Sequence, residues 1–383
     1  MKKIKSNKII LSNIVTGGYI YVEDGKIVEI SNVNKEADEE YDLTGYYVST
    51  GFIDIHTHGG GGYHFEYDVD NIIAACNFHL EHGTTTIFPT ISADKIENMV
   101  KSVENIGIAK NDPRVLNTIA GVHLEGPYFS KNQAGAQYPD AITAPIEADY
   151  IPILEKYSHL ISRWSYAPEL DEGAKFAKAL KKYGIVASMA HTDAIYGDIV
   201  TAMENNCKLV THLYSCTSTV TRDHGFRRLG VIECAYLFDD MDVEIICDGK
   251  HLPPELIRLI YKLKGSNRIA LITDSIALAG IDEEGANGNT ANTQYIIEDG
   301  VAKLPDRSAF AGSIATTNRL VRVMTKEVNI PITEAVKMIT EIPARIMHIE
   351  NKGKLAVEMD ADIVAFDENI EIKNVFAMGK LVK

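Results

Sequence analysis

The sequence predicts an α/β fold: a (β/α)8 TIM-type barrel with a small β-sandwich built from the N- and C-terminal segments. Three observations predict it. Short apolar runs alternate with helix-like segments from about residue 51. Eight such runs can be placed, at 52–56, 84–89, 116–124, 160–167, 185–190, 207–213, 243–248 and 269–273. Both ends of the chain read instead as strands separated by turns. Eight βα units are the measure of a barrel, and terminal strands that meet in space can share one small sheet.

Taken in order, Tyr19-Ile20-Tyr21-Val22 and Ile27-Val28-Glu29-Ile30 flank Glu23-Asp24-Gly25-Lys26, whose Asp-Gly marks a hairpin. Residues 41–50 add an extended piece. Within the barrel, helical patterns fall at 95–106, 173–182, 197–205 and 254–264. After the eighth run come a polar stretch at 280–293, an extended segment at 295–304 and a loop at Ala311-Gly312-Ser313. Two helical patterns then cover 316–347. The tail is strand-like at Leu355-Ala356, Ile363-Val364-Ala365-Phe366 and Val375-Phe376-Ala377-Met378. The expected division is 1–50 plus 348–383 for the sandwich and 51–347 for the barrel.

Composition narrows the function. With 38 basic and 53 acidic side chains the formal charge is −15, which argues against nucleic acid or an anionic membrane surface as partner. The apolar run near the start, Ile9-Ile10-Leu11, is too short for a signal-peptide core, and no run approaches a membrane span. Five scattered cysteines, odd in number and without a Cys-x-x-Cys pair, read as reduced thiols of a cytoplasmic protein.

The chemistry gathers at the strand ends. Gly51-Phe52-Ile53-Asp54-Ile55-His56-Thr57-His58 closes the first run and is followed by four glycines, where the backbone is expected to be flexible. Strand alternation turns His56 and His58 to one face, where two imidazoles can share a metal ion. Glu125 ends the third run, His191 the fifth and His212 the sixth; His251 stands just past the seventh, and Asp274 ends the eighth. The C-terminal face of a barrel is its active-site face. Singly, each has an ordinary reading: a satisfied polar group at a strand end, or a helix cap for Asp274. Together they have the composition of a metal site. His123, two residues before Glu125, reads as a group behind the ligands. A divalent ion on nitrogen and carboxylate ligands acidifies bound water and polarises a carbonyl. Asp274 is then placed to move the proton and His251 to meet the developing oxyanion. Zinc, iron, manganese or cobalt all suit such donors.

With these residues in order, the chain resembles the N-acetylglucosamine-6-phosphate deacetylase family of the amidohydrolase superfamily. The resemblance rests on 51–62, His123-Leu124-Glu125-Gly126-Pro127, Gly135-Ala136-Gln137, Ala190-His191-Thr192-Asp193-Ala194, Thr211-His212-Leu213-Tyr214, Asp248-Gly249-Lys250-His251, Thr273-Asp274 and Ala311-Gly312-Ser313. It implies Glu125, His191 and His212 as ligands of one ion, with His56 and His58 adding a second. It implies Asp274 as general base and acid. It also implies that Ala136, Gln137, Ser215, Cys216, Arg222, His251, Phe310, Ala311 and Gly312 hold an amino-sugar phosphate. In the family that arginine can come from a neighbouring subunit, so the resemblance implies a homodimer. The chain departs from the family after His-Leu-Tyr, where the usual Asn-Ala-Met and Arg-Glu-Pro-Gly are replaced by Ser215-Cys216-Thr217 and Arg222-Asp223-His224-Gly225. Arg227 and Arg228 stand close by as alternative cations. Other readings are a deacetylase of the galactosamine epimer, another N-acyl amidohydrolase, or a metal-binding barrel without catalysis.

Overall fold

The computed structural model describes residues 1–66, 68–281, 283–289 and 293–383. All eight expected barrel strands form. They are Phe52–Thr57, Thr84–Ile91, Val122–Glu125, Ile161–Tyr166, Val186–Met189, Leu209–Val210, Asp242–Ile246 and Ile269–Ile272, and neighbours run parallel in chain order. The ring closes where Asp274 N donates to His56 O at 2.9 Å and Thr273 Oγ1 donates to Asp54 at 2.6 Å. Strands covered on both faces carry continuous runs of buried residues, and every residue of Phe52–Thr57 and Thr84–Ile91 is buried.

The surrounding helices show the matching one-sided pattern. Ile96–Ala109 buries Met99, Val103 and Ile106; Lys175–Lys182 buries Phe176, Ala177 and Leu180. Pro254–Lys264 opens with proline at its first turn, where a missing N–H is harmless, and buries Ile257 and Ile260.

The terminal segments make one continuous eight-stranded sheet. Lys2–Leu11, Ile14–Glu23, Lys26–Ser31, Glu39–Asp42 and Tyr47–Thr50 join Ile363–Phe366, Ile372–Ala377 and Lys380–Leu381. The seam between the two ends is the antiparallel pairing of Ile363 with Thr50. The sheet curls around its own cluster of Ile4, Ile20, Val48, Ile363 and Phe376, and Tyr41 packs edge-on against Phe376 across it at 5.0 Å. That is how a single sheet makes a small sandwich. Asp24 and Gly25 turn the expected hairpin, both at positive φ.

Several details differ from the sequence reading. The sixth strand is short, and His212 and Tyr214 just beyond it take positive φ, while Thr211 N and Leu213 N still donate to Met189 O and Glu244 O of the strands on either side. The span 316–347 divides into three helices, Thr317–Arg322, Ile332–Ile339 and Glu341–Ile346, with a π-helical turn at Val323–Glu327. Pro331, whose ring cannot continue a helix, accounts for the main break. Leu355-Ala356 forms no strand, although Leu355 is buried against the sandwich. The glycines after His58 are not slack. Gly59–Gly60 pairs with Tyr63–His64, and a Cβ at Gly60 or Gly61 would lie 2.5 or 2.7 Å from the Phe78 ring. Residues 282 and 290–292 of the polar stretch lie outside the described residues. All five cysteines are unpaired, and among the described residues no helix is long and apolar enough to cross a membrane.

Candidate metal centre

Each strand-end residue reaches the site because its strand delivers it to the same rim, and the backbone then bends sharply. His191, His212 and Asp274 all adopt positive φ, at 45°, 29° and 46°. Such conformations cost about 1–3 kcal/mol each in non-glycine residues and cluster at functional sites. Gly312 is required for a related reason. Its φ is +81°, and a Cβ there would lie 2.9 Å from Asp274 O and 2.7 Å from Ile276.

Two groups of donors form, His56–His58–Glu125 and Glu125–His191–His212, and Glu125 belongs to both. Its Oε1 lies 2.9 Å from His212 Nε2, 3.3 Å from His191 Nε2 and 3.5 Å from His56 Nε2; its Oε2 lies 3.3 Å from His58 Nε2. Asp274 Oδ1 is 3.2 Å from His58 Nε2 and 3.4 Å from His56 Nε2. Ligands at ordinary zinc–nitrogen distances on a tetrahedron stand ~3.3 Å apart, so these spacings fit an ion.

Orientation and charge fit it too. His191 Nδ1 is 2.8 Å from Gln133 O and His212 Nδ1 is 3.1 Å from Ser215 O. Each carbonyl takes the Nδ1–H and leaves Nε2 with its lone pair. His56 is fully buried and neither ring nitrogen makes a hydrogen bond of normal geometry, although carboxylate oxygens lie 3.4–3.5 Å away. A buried polar ring left so is costly unless a further partner binds it. Burial alone would push the Glu125 carboxyl up, but His56, His191 and His212 hold it well below the usual carboxylate range. Burial would likewise raise Asp274, and His56 and His58 outweigh it and lower it. Burial opposes charge on His56, yet Glu125 and Asp274 prevail and lift it to about 9. The carboxylates thus demand positive charge at the centre, which a divalent cation supplies.

Beneath this rim the barrel floor is polar. Arg163 and Glu244, both fully buried, form a two-pronged ion pair, and Glu244 Oε2 faces His56 Nδ1 at 3.5 Å. His123 packs edge-on against His56 but commits Nε2 to Ser165 at 2.6 Å and Nδ1 to Thr90 at 3.1 Å, consistent with a place behind the ligands.

Above the centre is a cavity of ≈ 450 Å³. Ala136, Gln137, Ser215, Cys216, His251, Phe310, Ala311 and Gly312 all line it, as do His58, Glu125, His191, His212 and Asp274. Phe310–Gly312 arrives behind the small sheet Asn287–Asn289, Gln294–Glu298 and Val301–Lys303. Gln137 does more than line the wall, since its Nε2 donates to Glu125 Oε2 at 2.8 Å. His251 Nδ1 is 2.8 Å from Asp248, leaving Nε2 as the uncommitted nitrogen, and its ring meets Phe310 edge-on. Arg222 is not brought in. It sits on the exposed hairpin Thr221–Asp223/Phe226–Arg228 with Arg227 and Arg228, outside the wall of its own chain's cavity. Among the described lining residues Lys101 is the one lysine or arginine. The sequence reading missed Ser92, Glu66, Tyr138 and Thr293. Ser92 carried a usable signal, standing one residue past the second strand; Glu66 carried none.

Comparison with known proteins agrees with this arrangement. The amidohydrolase family model matches residues 47–382. An N-acetylglucosamine-6-phosphate deacetylase from Lysinibacillus sphaericus is 29% identical, the match covering 94% of this chain and 92% of that one. An N-acetylgalactosamine-6-phosphate deacetylase from Shewanella sp. (strain ANA-3) is 27% identical over 95% and 91%. Among solved structures, a mutant N-acetyl-D-glucosamine-6-phosphate deacetylase from Mycobacterium smegmatis in complex with N-acetyl-D-glucosamine-6-phosphate superposes with a TM-score of 0.91 at 25% identity, covering 100% of this chain and 99% of that one. The Thermotoga maritima enzyme gives 0.86 at 27% identity, over 100% and 99%. With nearly its whole length matched, this chain belongs to the amidohydrolase family.

Proposed function

We propose that the chain is a metal-dependent deacetylase acting on an N-acetylhexosamine 6-phosphate, foremost N-acetyl-D-glucosamine 6-phosphate, which it converts to the hexosamine 6-phosphate and acetate in amino-sugar breakdown. The observation that carries this reading is the pair of donor groups sharing Glu125, with Asp274 beside them on the floor of the cavity. Glu125, His191 and His212 hold the main ion, and His56 and His58 bring a second. Zinc suits the nitrogen-rich set, and the protein works in the cytoplasm. An ion so held supplies Lewis-acid polarisation of the acyl oxygen and a water acidic enough to attack near neutrality.

The chain's own residues do the rest. Asp274, kept ionised beside His56 and His58, takes the attacking water's proton and hands it to the leaving nitrogen. Asp248 fixes the His251 ring through Nδ1 and leaves Nε2 as the nitrogen that meets the oxygen gaining charge. Gln137 holds Glu125 in place through Oε2. Ile246, Ile276 and Phe310 line the same space and keep its dielectric low, which strengthens each of these charges. Ala136, Ser215, Cys216, Ala311 and Gly312 shape the sugar and phosphate pocket. Arg222 lies outside its own cavity and serves that of a second copy, which makes the working form a homodimer.

Acetate release from phosphorylated and unphosphorylated N-acetylhexosamines of both epimers tests the substrate. Turnover confined to the 6-phosphates is expected. Equal rates on both forms, or none on either, refute the phosphate reading. A preference for the galactosamine epimer favours the activity of the Shewanella relative. Asp274→Asn should lower kcat by ~10²–10⁴-fold with metal content unchanged.

A further inference from the structure

His58 is held unlike the other histidines of the centre. His191 and His212 give Nδ1–H to backbone carbonyls. His58 Nδ1 instead lies 3.0 Å from Ser92 Oγ, and Ser92 Oγ donates to Glu66 Oε1 at 3.2 Å. A hydroxyl has one proton and two lone pairs. With its proton on the carboxylate, Ser92 can only accept from His58. That fixes the Nδ1–H tautomer and turns the Nε2 lone pair toward Glu125 Oε2 and Asp274 Oδ1, at 3.3 and 3.2 Å.

The relay is braced from three elements. Ser92 is the first residue beyond the strand Thr84–Ile91. Glu66 follows the glycine hairpin, its side chain only 8% exposed. Ser102, on the helix Ile96–Ala109, donates to the Glu66 carbonyl at 3.1 Å. None of these residues touches Glu125, His191 or His212 through a hydrogen bond that would explain it otherwise.

We propose that Ser92 and Glu66 are positioning residues for the second ion, setting its affinity through the tautomer and aim of His58. The inference rests on the two-ion reading above. Loss of a group behind a metal ligand typically weakens binding ~10–100-fold. The test is zinc stoichiometry and affinity, measured by elemental analysis after equilibration in zinc-buffered solutions, for the full chain and for Ser92→Ala, Glu66→Gln and Ser92→Thr. The expected result is two classes of site in the wild type. Ser92→Ala should weaken the weaker class ~10–100-fold and leave the tighter one unchanged. Glu66→Gln should do so by less, because its amide oxygen still accepts, and Ser92→Thr should restore binding. Retained tight-ion binding shows that the variants are folded. Two classes in the wild type with Ser92→Ala unchanged, or with both ions weakened alike, overturns the positioning role and leaves the two-ion reading standing. A wild type that takes up a single ion at every zinc level overturns the two-ion reading itself.

Discussion

Arg163→Met tests whether the polar floor under the metal centre is held by charge balance. Arg163 and Glu244 are both fully buried. Besides its fork onto Glu244, the guanidinium donates to Ser188 Oγ at 2.9 Å and Thr211 Oγ1 at 2.7 Å. Removing it strands a buried carboxylate whose nearest remaining positive group is His56. Breaking a buried pair from one side costs about 3–5 kcal/mol, whereas replacing both partners is often far milder. The penalty also has a pH signature. In the wild type, burial alone would raise Glu244, but Arg163 and His56 hold it below the usual range. Its ionised form therefore adds stability above the unfolded carboxylate range, and that stability is lost as pH falls. Without Arg163, burial dominates and the folded carboxyl is raised instead, so the variant loses stability as pH rises. The gap between the two proteins must widen with pH. Denaturant unfolding in chelator, so that ion loss is not counted twice, should show a loss of about 3–5 kcal/mol at pH 8 and less at pH 6. Arg163→Met/Glu244→Leu should recover much of it. A loss under about 1 kcal/mol, or a double variant no better than the single one, would refute the reasoning.

Other outcomes follow from the same contacts. Chelation should abolish acetate release, and zinc should restore it; activity that survives exhaustive chelation with no bound ion would remove the metal from the reaction. Gly312→Ala places a Cβ against Asp274 O and Ile276 at positive φ, so kcat should fall at least tenfold with the unfolding free energy lowered by only about 1–2 kcal/mol. His79 Nε2–H donates to Gly59 O at 2.9 Å and lies 3.2 Å from Thr57 Oγ1, and burial pushes the ring down to about 4. The unfolded ring takes up a proton near pH 6.5 and the folded one does not until about 4, so stability falls as pH drops through that window, by up to about 3 kcal/mol from this group. His79→Gln should lose correspondingly less between pH 6.5 and 4 than the wild type in parallel denaturant titrations.

What could be read in the sequence follows from what periodicity records. Parallel strands buried on both faces leave continuous apolar runs, so all eight barrel strands were legible, and with them the rule that their C-terminal ends carry chemistry. That rule found Glu125, His191, His212 and Asp274, which the structure gathers on one rim. It does not extend to side chains supplied by loops. Gln137 was read only as a contact to the amino-sugar phosphate, yet its side-chain amide reaches Glu125 from the turn after Lys131–Gln133. Glu66 lies beyond a hairpin whose path is set by glycine contacts with Phe78, a long-range constraint with no periodic mark. Arg163 was invisible for the opposite reason: inside an apolar strand it reads as an outward-facing charge, and only the location of Glu244 three strands away turns it inward.

That inward turn bears on why the centre can exist. Three carboxylates, Glu125 and Asp274 on the rim and Glu244 beneath it, stand 3.4–3.5 Å from the His56 ring nitrogens, and several rim residues hold strained backbone. An apolar floor would leave those charges with no counterweight from below. The fork of Arg163 neutralises Glu244, Ser188 and Thr211 accept further guanidinium N–H groups, and Ser165 links those two hydroxyls. Negative charge left over is then concentrated at Glu125 and Asp274, on the cavity side, where an incoming cation meets it. The barrel interior is in this sense an electrostatic mould: its lower layer cancels charge so that its upper layer can keep it.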